Sequence, residues 1–404
     1  MRLFFAFILM FSALFNSALA KPINTCRLEK YFYSSNSHKQ KRINDLNIQL
    51  NHKENNMTLL PSVSIGTGQY STNNNNFKGI TSSSLSLSLS KEVYAGNRYG
   101  KTKEKLNITN RLNDLEQAEK KNDYYLELLS AISDYNYLKD QFNILHNQLN
   151  LQNSLTLQGQ SNYNLGRISK LDATLNNLKI KQIKGEIKRV ENNLETSKKI
   201  MSIDFKIPVN EIDTINGNDI LNCKINSYVH FLNEKYTAEQ ERNRIDYELS
   251  NTSLYPAVSF SLSMTPPGRG LIEDFSINKA DYTASINVSS SLSGLFLNEV
   301  RNEKRYIDSL DISLKRDEAI EHLLKKDIEI KKIISNIKNE IEYLTEDVSL
   351  KKLSLDYTYN RYKKKNDTLQ SFYTQLESYN LSEVYLKKKK RELEYYEIYY
   401  SFIN

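Results

Sequence analysis

The chain has 404 residues, and its 55 basic and 48 acidic side chains give a formal net charge of +7 at neutral pH. A quarter of the residues are charged, whereas only 12 are glycine and 6 are proline, which is a composition typical of long helices. Because acidic and basic residues are interleaved along the helical stretches, the positive charge forms no basic patch, and nucleic-acid binding is not predicted.

The first 20 residues have the organisation of a secretory signal peptide. Arg2 supplies the positive charge, Leu3 to Leu14 is apolar, and Ala18-Leu19-Ala20 fits the small-residue rule for cleavage. The apolar stretch is shorter than the about 20 residues that a membrane-spanning helix needs. We therefore expect residues 1–20 to be removed and the mature chain to begin near Lys21. An uncleaved N-terminal anchor is the alternative interpretation.

The rest of the chain contains two tandem repeats. Leu60-Pro61-Ser62-Val63 recurs as Tyr255-Pro256-Ala257-Val258, and each copy leads into two serine-rich alternating segments and then into long polar helices. A nearly constant offset over half a chain indicates two structural repeats. We place the first repeat at residues 21–206, an irregular connector at 207–222 and the second repeat at 223–404. The connector is not predicted to be a domain boundary, because the elements on either side of it must pack together.

Each repeat contains two segments in which apolar and polar residues alternate, as in a β-strand with two different faces. These strands are predicted at about residues 62–70, 82–91, 257–265 and 281–293, lengths that suit tilted membrane strands. We expect the polar residues to line a water-filled lumen and the apolar residues to face lipid. The predicted lumen residues are Ser84, Ser86, Ser88, Ser259, Ser261 and Ser263, and the predicted lipid-facing residues are Leu85, Leu87, Leu89, Val258, Phe260 and Leu262.

Four strands in two separate hairpins do not close a sheet by themselves, and open sheet edges are not tolerated in lipid. Several copies of the chain are therefore expected to share one barrel. A soluble sandwich is the alternative interpretation of the same strands.

The remaining predicted elements are long helices, at about residues 97–165, 169–205, 298–363 and 369–403. The first would be about 100 Å long at a rise of 1.5 Å per residue. Such helices need neighbouring helices to bury a narrow apolar stripe.

The two cysteines, Cys26 and Cys223, occupy nearly equivalent positions of the two repeats. An exported chain enters an oxidising compartment, which favours pairing. Because the sequence does not reveal the distance between them, a disulfide and two free thiols both stay open.

A signal peptide, two repeats, two strand hairpins and two long helical hairpins together resemble the TolC family of outer-membrane efflux and secretion channels. The resemblance covers essentially the whole mature chain. It implies a mainly helical fold with a membrane β-barrel part, in which three chains share a twelve-stranded barrel and continue as a helical tube into the periplasm of a Gram-negative bacterium. The implied partners are two further copies of the chain, a periplasmic adaptor (membrane fusion) protein, an inner-membrane ABC or proton-driven transporter, and outer-membrane lipid.

The most specific motif of this resemblance is the turn at the periplasmic tip of each helical hairpin. The family has an aromatic residue there, then glycine, then aspartate six residues later, and Tyr163, Gly166 and Asp172 match it. Glycine permits a left-handed turn, and aspartate can cap the returning helix. The resemblance implies that both tips contact the adaptor, through Tyr163, Leu165, Gly166, Arg167, Asp172, Lys364, Lys365, Asn366, Asp367 and Ser371.

The second tip departs from the family pattern. Lys365 stands where glycine is usual, and Ser371 stands where the carboxylate is usual. Asp367 either replaces the missing carboxylate or caps a helix. The run Lys363-Lys364-Lys365 is either a solvated turn or a contact for a partner with an acidic face.

No pattern typical of an enzyme is present. The five histidines (His38, His52, His146, His230 and His322) are scattered along the helical segments and form no cluster, so no metal or cofactor is predicted. The sequence also has no phosphate-binding loop, nucleophile elbow or dinucleotide fingerprint.

We therefore predict a non-enzymatic duct of a tripartite export system, used for efflux or for type I-like secretion, with its energy supplied by a partner. The nature of the substrate, whether drug, other small molecule or protein, stays open. The alternative is a periplasmic or secreted coiled-coil scaffold or adhesin, which would leave the paired strand hairpins unexplained.

Overall fold

The computed structural model describes residues 26–70, 82–166, 169–265, 278, 280–290, 293–364 and 366–404. Long helices and one small antiparallel sheet make up most of this structure. In chain order the elements are α1 (Glu29–Phe32), α2 (Asn36–Met57), β1 (Ser62–Tyr70), β2 (Ser82–Ala95), α3 (Arg98–Asn164), α4 (Lys170–Asp204), α5 (Gly217–Leu221), α6 (Tyr228–Ser250), β3 (Ala257–Thr265), β4 (Asp281–Ser289), α7 (Ser293–Lys363) and α8 (Leu369–Ile403).

The two longest helices, α3 with 67 residues and α7 with 71, contain no proline. A narrow heptad pattern supports them. On α7, for example, Ile330, Ile337 and Leu344 recur every seven residues, and all three are buried. Within the described part of the chain, none of the helices combines the length and hydrophobicity needed to cross a lipid bilayer.

The chain divides into two compact units that do not coincide with the two sequence repeats. The first unit contains the described residues up to Ser35, Lys121–Ile225 and Ile330–Phe402, and the second contains Asn36–Lys120, Asn226–Glu329 and Ile403–Asn404. Each unit takes segments from both repeats, because the helices of one repeat pack against helices of the other. In the first unit, for example, Asp140 of α3 and Arg391 of α8 form an ion pair at 3.1 Å.

The first unit has an apolar core where α3, α7 and α8 meet. Its buried members are Leu155, Leu355, Phe372, Tyr373 and Leu376. Phe372 is 1% exposed, so truncating its side chain to alanine should cost about 3–5 kcal/mol. This core therefore joins the two helical hairpins to each other.

The connector between the repeats is more regular than the sequence suggests. It contains a short 3-10 turn at Ile212–Thr214 and helix α5, which begins with a reciprocal capping pair between Asn216 and Asp219. At its end, Cys223 forms a disulfide with Cys26, with the two Cα atoms 4.8 Å apart. The bond attaches the start of the described chain to the end of the connector.

The second unit combines the sheet with α2, α6 and the first part of α3. Ile108, Ala238 and Ile245 form its buried apolar cluster. Ion pairs run alongside this cluster, and Arg111 contacts both Glu234 (2.7 Å) and Glu241 (3.2 Å). Because these side chains are about two-fifths exposed, the pairs align α3 with α6 but add little stability.

The sheet has four antiparallel strands in the order β1-β2-β3-β4. Strand β2 extends to Ala95, beyond the predicted end at 91, because a bulge between Glu92 and Tyr94 lets pairing with β3 continue as far as Ala257. Strand β4 ends at Ser289 and α7 begins at Ser293, both earlier than the sequence predicts. The alternation of apolar and polar residues stops there, and Gly294 lets α7 begin close against Leu254.

Candidate functional site

The strand register gathers the serines of all four strands on one face of the sheet. Ser64 pairs with Ser88, Ser88 with Ser263, and Ser261 with Ser285. Within the hairpins the hydroxyls bond to each other, at 2.7 Å between Ser64 and Ser88 and 2.6 Å between Ser261 and Ser285. The result is a continuous polar surface, which also carries Glu92 opposite Ser259 and Asp281 opposite Thr265.

The opposite face of the sheet is apolar. Leu89 pairs with Leu262, and Phe260 pairs with Ile286. Ile65 and Ile286 are 74% and 72% exposed in the single chain. An apolar surface of this kind marks a site that contacts lipid or protein rather than water.

The twelve residues predicted for the two environments separate completely in this register. The six predicted lumen serines lie on the polar face, and the six predicted lipid-facing residues lie on the apolar face. For Ser84 and Leu85 the placement rests on backbone pairing with Gly68 and Thr67. Which face contacts water and which contacts lipid stays a prediction.

The two outer strands of the sheet have open edges. Among the described residues, β1 pairs only with β2, and β4 pairs only with β3. An open edge presents unpaired backbone N–H and C=O groups, which are ready to bind another strand.

The first tip is a tight turn between α3 and α4. Gly166 has a φ of +69°, and its N–H donates to the carbonyl of Tyr163 at 2.8 Å. No atom of the described residues lies within 4 Å of the position that a Cβ on Gly166 would occupy, so among the described contacts only the backbone conformation demands glycine there. Leu165 is exposed and Asp172 lies in the first turn of α4, whereas Arg167 lies outside the described residues.

The second tip is held by side chains. The Arg361 guanidinium donates to the carbonyl of Asn366 at 3.0 Å and lies 3.8 Å from the carboxylate of Asp367. Thr368 caps α8, since its hydroxyl accepts from the backbone N–H of Ser371 at 3.1 Å. Asp367 is therefore not the helix cap that one interpretation of the sequence suggested.

Asp367 instead accepts from the backbone N–H of Thr368 at 2.8 Å, next to Arg361. Lys364 is exposed, and Lys365 lies outside the described residues. The contacts of Arg361 join the end of α7 to the residues just before α8.

The structure contains a buried polar cluster near the tips that the sequence did not predict. Gln152 of α3 donates to the Tyr373 hydroxyl at 2.6 Å, and that hydroxyl donates to the side-chain oxygen of Asn176 in α4. All three residues are buried, and burial raises the pKa of Tyr373 to about 12. Asparagine and glutamine are so common in this chain that their presence in the sequence does not indicate a buried cluster.

The connector is held by acidic residues that the sequence-based prediction also misses. Asp213 accepts from Lys198 and from the Tyr135 hydroxyl, each at 2.6 Å. These two bonds lower the pKa of Asp213 to about 2. Glu211 similarly accepts from the hydroxyl of Tyr31 and lies 3.1 Å from Lys30.

The described part of the chain shows no candidate metal site. No group of three or more histidine, cysteine, aspartate or glutamate side chains there is arranged to hold a metal ion. The acidic residues described above are occupied by lysine, arginine and tyrosine partners.

No family model matches the sequence, and no characterised protein matches it significantly in sequence. The structure, by contrast, resembles solved outer-membrane proteins over nearly its whole length. The outer membrane protein VceC from Vibrio cholerae matches with a TM-score of 0.69 and 11% identity, covering 93% of this chain and 94% of that one. The CmeC outer membrane channel of Campylobacter jejuni matches with a TM-score of 0.66 and 10% identity, covering 91% and 83%.

The Neisseria gonorrhoeae MtrE outer membrane channel, solved in its open state, matches with a TM-score of 0.62 and 10% identity, covering 94% of this chain and 89% of that one. The chain therefore has the fold of these outer-membrane channels. The resemblance to the TolC family is confirmed at the level of the fold, as is the mainly helical architecture with a small antiparallel sheet.

Proposed function

We propose that this chain is one subunit of a homotrimeric outer-membrane channel that passes substrate from an inner-membrane transporter to the cell exterior. The observation that carries the proposal is the sheet, which has a serine-rich face and a mainly apolar face between two open edges. Its setting in the fold of outer-membrane channels supports the same function.

The open edges give the reason for assembly. In lipid, every backbone polar group needs a partner, so β1 and β4 must pair with strands of other copies. Pairing β1 of one copy with β4 of the next is a head-to-tail contact, which closes into a ring when the rotation fits. Three copies of a four-stranded sheet would form a barrel of twelve strands.

The serine face suits the lumen of that barrel. Barrels of about eight strands are filled by their own side chains, whereas those of about 16 leave an aqueous channel. Twelve strands lie between these limits, so the small serine side chains would keep the lumen open. Their hydroxyls would bind water without adding charge.

The helices would continue the duct into the periplasm, and the two tips would be the contact points for partners. Tyr163 and Leu165 at the first tip are 38% and 59% exposed, although tyrosine and leucine side chains are usually sheltered from water. A periplasmic adaptor protein would cover them, and an inner-membrane ABC or proton-driven transporter would supply the energy. The structural neighbours are channel proteins, and we assign no catalytic role to this chain.

Electron microscopy of the protein extracted from outer membranes in detergent would test the proposal. We expect particles with three-fold symmetry, longer than about 100 Å because of the length of α3 and α7, with a detergent belt at one end. Monomers or belt-free rods would contradict the channel and would favour a coiled-coil scaffold.

A further inference from the structure

We infer that copies of this chain dock through two oppositely charged helix faces, one on α4 and one on α7 of the next copy. The inference rests on the proposed trimer and specifies which surfaces meet in the first unit. The α4 seam consists of Leu171, Leu175, Leu178, Lys181, Gly185, Lys188 and Arg189. The α7 seam consists of Glu342, Tyr343, Glu346, Leu350, Leu353 and Tyr357.

Helix α7 has two apolar stripes, of which the protomer covers only one. Ile330, Ile337 and Leu344 are buried within the protomer, as described above. Tyr343 and Leu350, seven residues apart, are each 65% exposed. Since successive residues of a helix are about 100° apart, the second stripe points away from the first by about that angle. A helix with two such stripes packs between two neighbours, and only one neighbour belongs to the same protomer.

Helix α4 shows the same arrangement. Ile183 and Val190, seven residues apart, are 2% and 1% exposed. Leu171 and Leu178, also seven residues apart, are 67% and 60% exposed. The exposed stripe again has no cover within the described protomer.

The two seams match in distance from the tips. Helices α4 and α7 run in opposite directions, and their tip ends are level. Lys179 of α4 lies 3.7 Å from Glu377 of α8, and Gln375 of α8 accepts from Ser354 of α7 at 3.1 Å.

Counted at 1.5 Å per residue, Leu175 lies about 8 Å from the start of α4 and Tyr357 about 9 Å from the end of α7. Arg189 lies about 28 Å from its tip, and Glu342 and Glu346 lie about 32 and 26 Å from theirs. The apolar parts of the two seams therefore face each other near the tips, and the charged parts face each other farther away.

The charges of the two seams are complementary, and four of them have no local partner among the described residues. Arg189 and Lys181 are exposed on the α4 seam, and Glu342 and Glu346 are exposed on the α7 seam. None of these four residues forms an ion pair with the described residues of its own protomer.

The same helices do form local pairs elsewhere, at 2.7 Å between Lys199 and Glu195 and at 2.8 Å between Lys351 and Asp347. On the α4 seam Lys188 also has a local partner, Glu191 at 2.9 Å. Lys181 and Arg189 have none among the described residues, and the acidic residues of the next copy are the partners that fit.

Gly185 adds a feature of shape. It lies within α4, seven residues after Leu178, and no atom of the described protomer comes within 4 Å of a Cβ built there. A glycine inside a helix costs up to about 1 kcal/mol relative to alanine. On the α4 seam, Gly185 leaves a recess in the helix surface. Leu350 of the neighbouring α7 lies at a comparable distance from the tip.

The charge pattern also selects the mode of contact. An α4 seam facing another α4 seam would bring Lys188 and Arg189 together, and like charges at an interface repel. Only contact between an α4 seam and an α7 seam brings opposite charges together. Such a contact is head-to-tail and generates a closed ring, as the open edges of the sheet require.

Cysteine crosslinking of the full chain tests the inference. Gly185→Cys and Leu350→Cys in one chain should give covalent dimers and trimers after mild oxidation in detergent. The matched control keeps Gly185→Cys and replaces Leu350→Cys with Lys352→Cys, which is exposed but about 200° around α7 from Leu350. Because sulfur atoms held in one interface have a high effective concentration, the yield should exceed the control by about tenfold.

A charge exchange provides a second readout. Arg189→Glu with Lys188→Glu should lower the trimer fraction, and adding Glu342→Lys with Glu346→Lys should restore it. If three-fold particles form but the crosslink does not exceed the control, the seams are wrongly assigned and the channel proposal stands. If the chain is monomeric in membrane extracts, the proposed function fails and the interface with it.

Discussion

At the scale of single residues, the connector depends on carboxylates held by hydroxyl and ammonium donors. Asp213 is held by Lys198 and by Tyr135, and these bonds lower its pKa to about 2. A carboxyl group whose pKa is lower in the folded state than in the unfolded chain stabilises the fold above its unfolded pKa. That stability is lost as the pH falls from about 4 towards 2.

We expect Asp213→Asn to lower the free energy of unfolding at pH 7 by about 1 kcal/mol, because solvent screens a carboxylate that is 38% exposed. The difference from the parent protein should shrink as the pH falls from about 4 to about 2, where half of the Asp213 carboxyl groups are protonated. Urea midpoints followed by circular dichroism at both pH values would measure it. Asp204→Asn is the matched control, since Asp204 is exposed at the end of α4, and an equal effect there would contradict the assignment.

At the scale of elements, the sheet depends on the register between its strands. A shift of one residue would move every serine of a strand to the apolar face, so the separation of the two faces specifies the pairing. The bonds between Ser62 and Ser90 (2.6 Å) and between Ser64 and Ser88 (2.7 Å) add to this specificity, because a shift of one residue would break them.

In the proposed channel, Leu87→Arg should cost about 2–4 kcal/mol, because it places a charge on the lipid-facing side near the middle of the membrane. Ser86→Arg is the matched control on the adjacent residue and the opposite face, and it should be tolerated. The yields of membrane-inserted trimer would be compared. Equal yields from the two variants would show that the assignment of the faces to lumen and lipid is wrong.

At the scale of the whole molecule, one covalent bond closes almost the entire first repeat. Cys26 and Cys223 are 197 residues apart in sequence. A disulfide across a long loop restricts the unfolded chain, and such bonds typically contribute about 2–4 kcal/mol. The bond also fixes the N-terminal segment next to the connector, where Lys30 and Tyr31 contact Glu211.

We expect the mature protein to migrate faster on a denaturing gel without reductant than with it, because the closed loop keeps the unfolded chain compact. Cys223→Ser should remove this difference and lower the thermal stability. The double variant Cys26→Ser with Cys223→Ser should behave like the single variant. Two thiols that react with maleimide before reduction would rule out the disulfide.

The elements with strong periodicity were accessible from sequence. Alternating serine and leucine place β2 almost where the structure has it, and Gly166 indicates the turn after α3. The boundary between β4 and α7 was predicted too late, because the close approach of Gly294 to Leu254 joins residues that are far apart in sequence. The buried cluster of Gln152, Asn176 and Tyr373 was not predicted either, because its members are also far apart in sequence.

Periodicity and turn residues act over short distances along the chain, so the sequence alone was enough to predict the long helices and the two-faced strands. Which segments form each compact unit and which carboxylates hold the connector became clear only from the folded structure. It also showed which helix stripes stay uncovered in one copy. These features depend on contacts between distant residues, which local patterns do not encode.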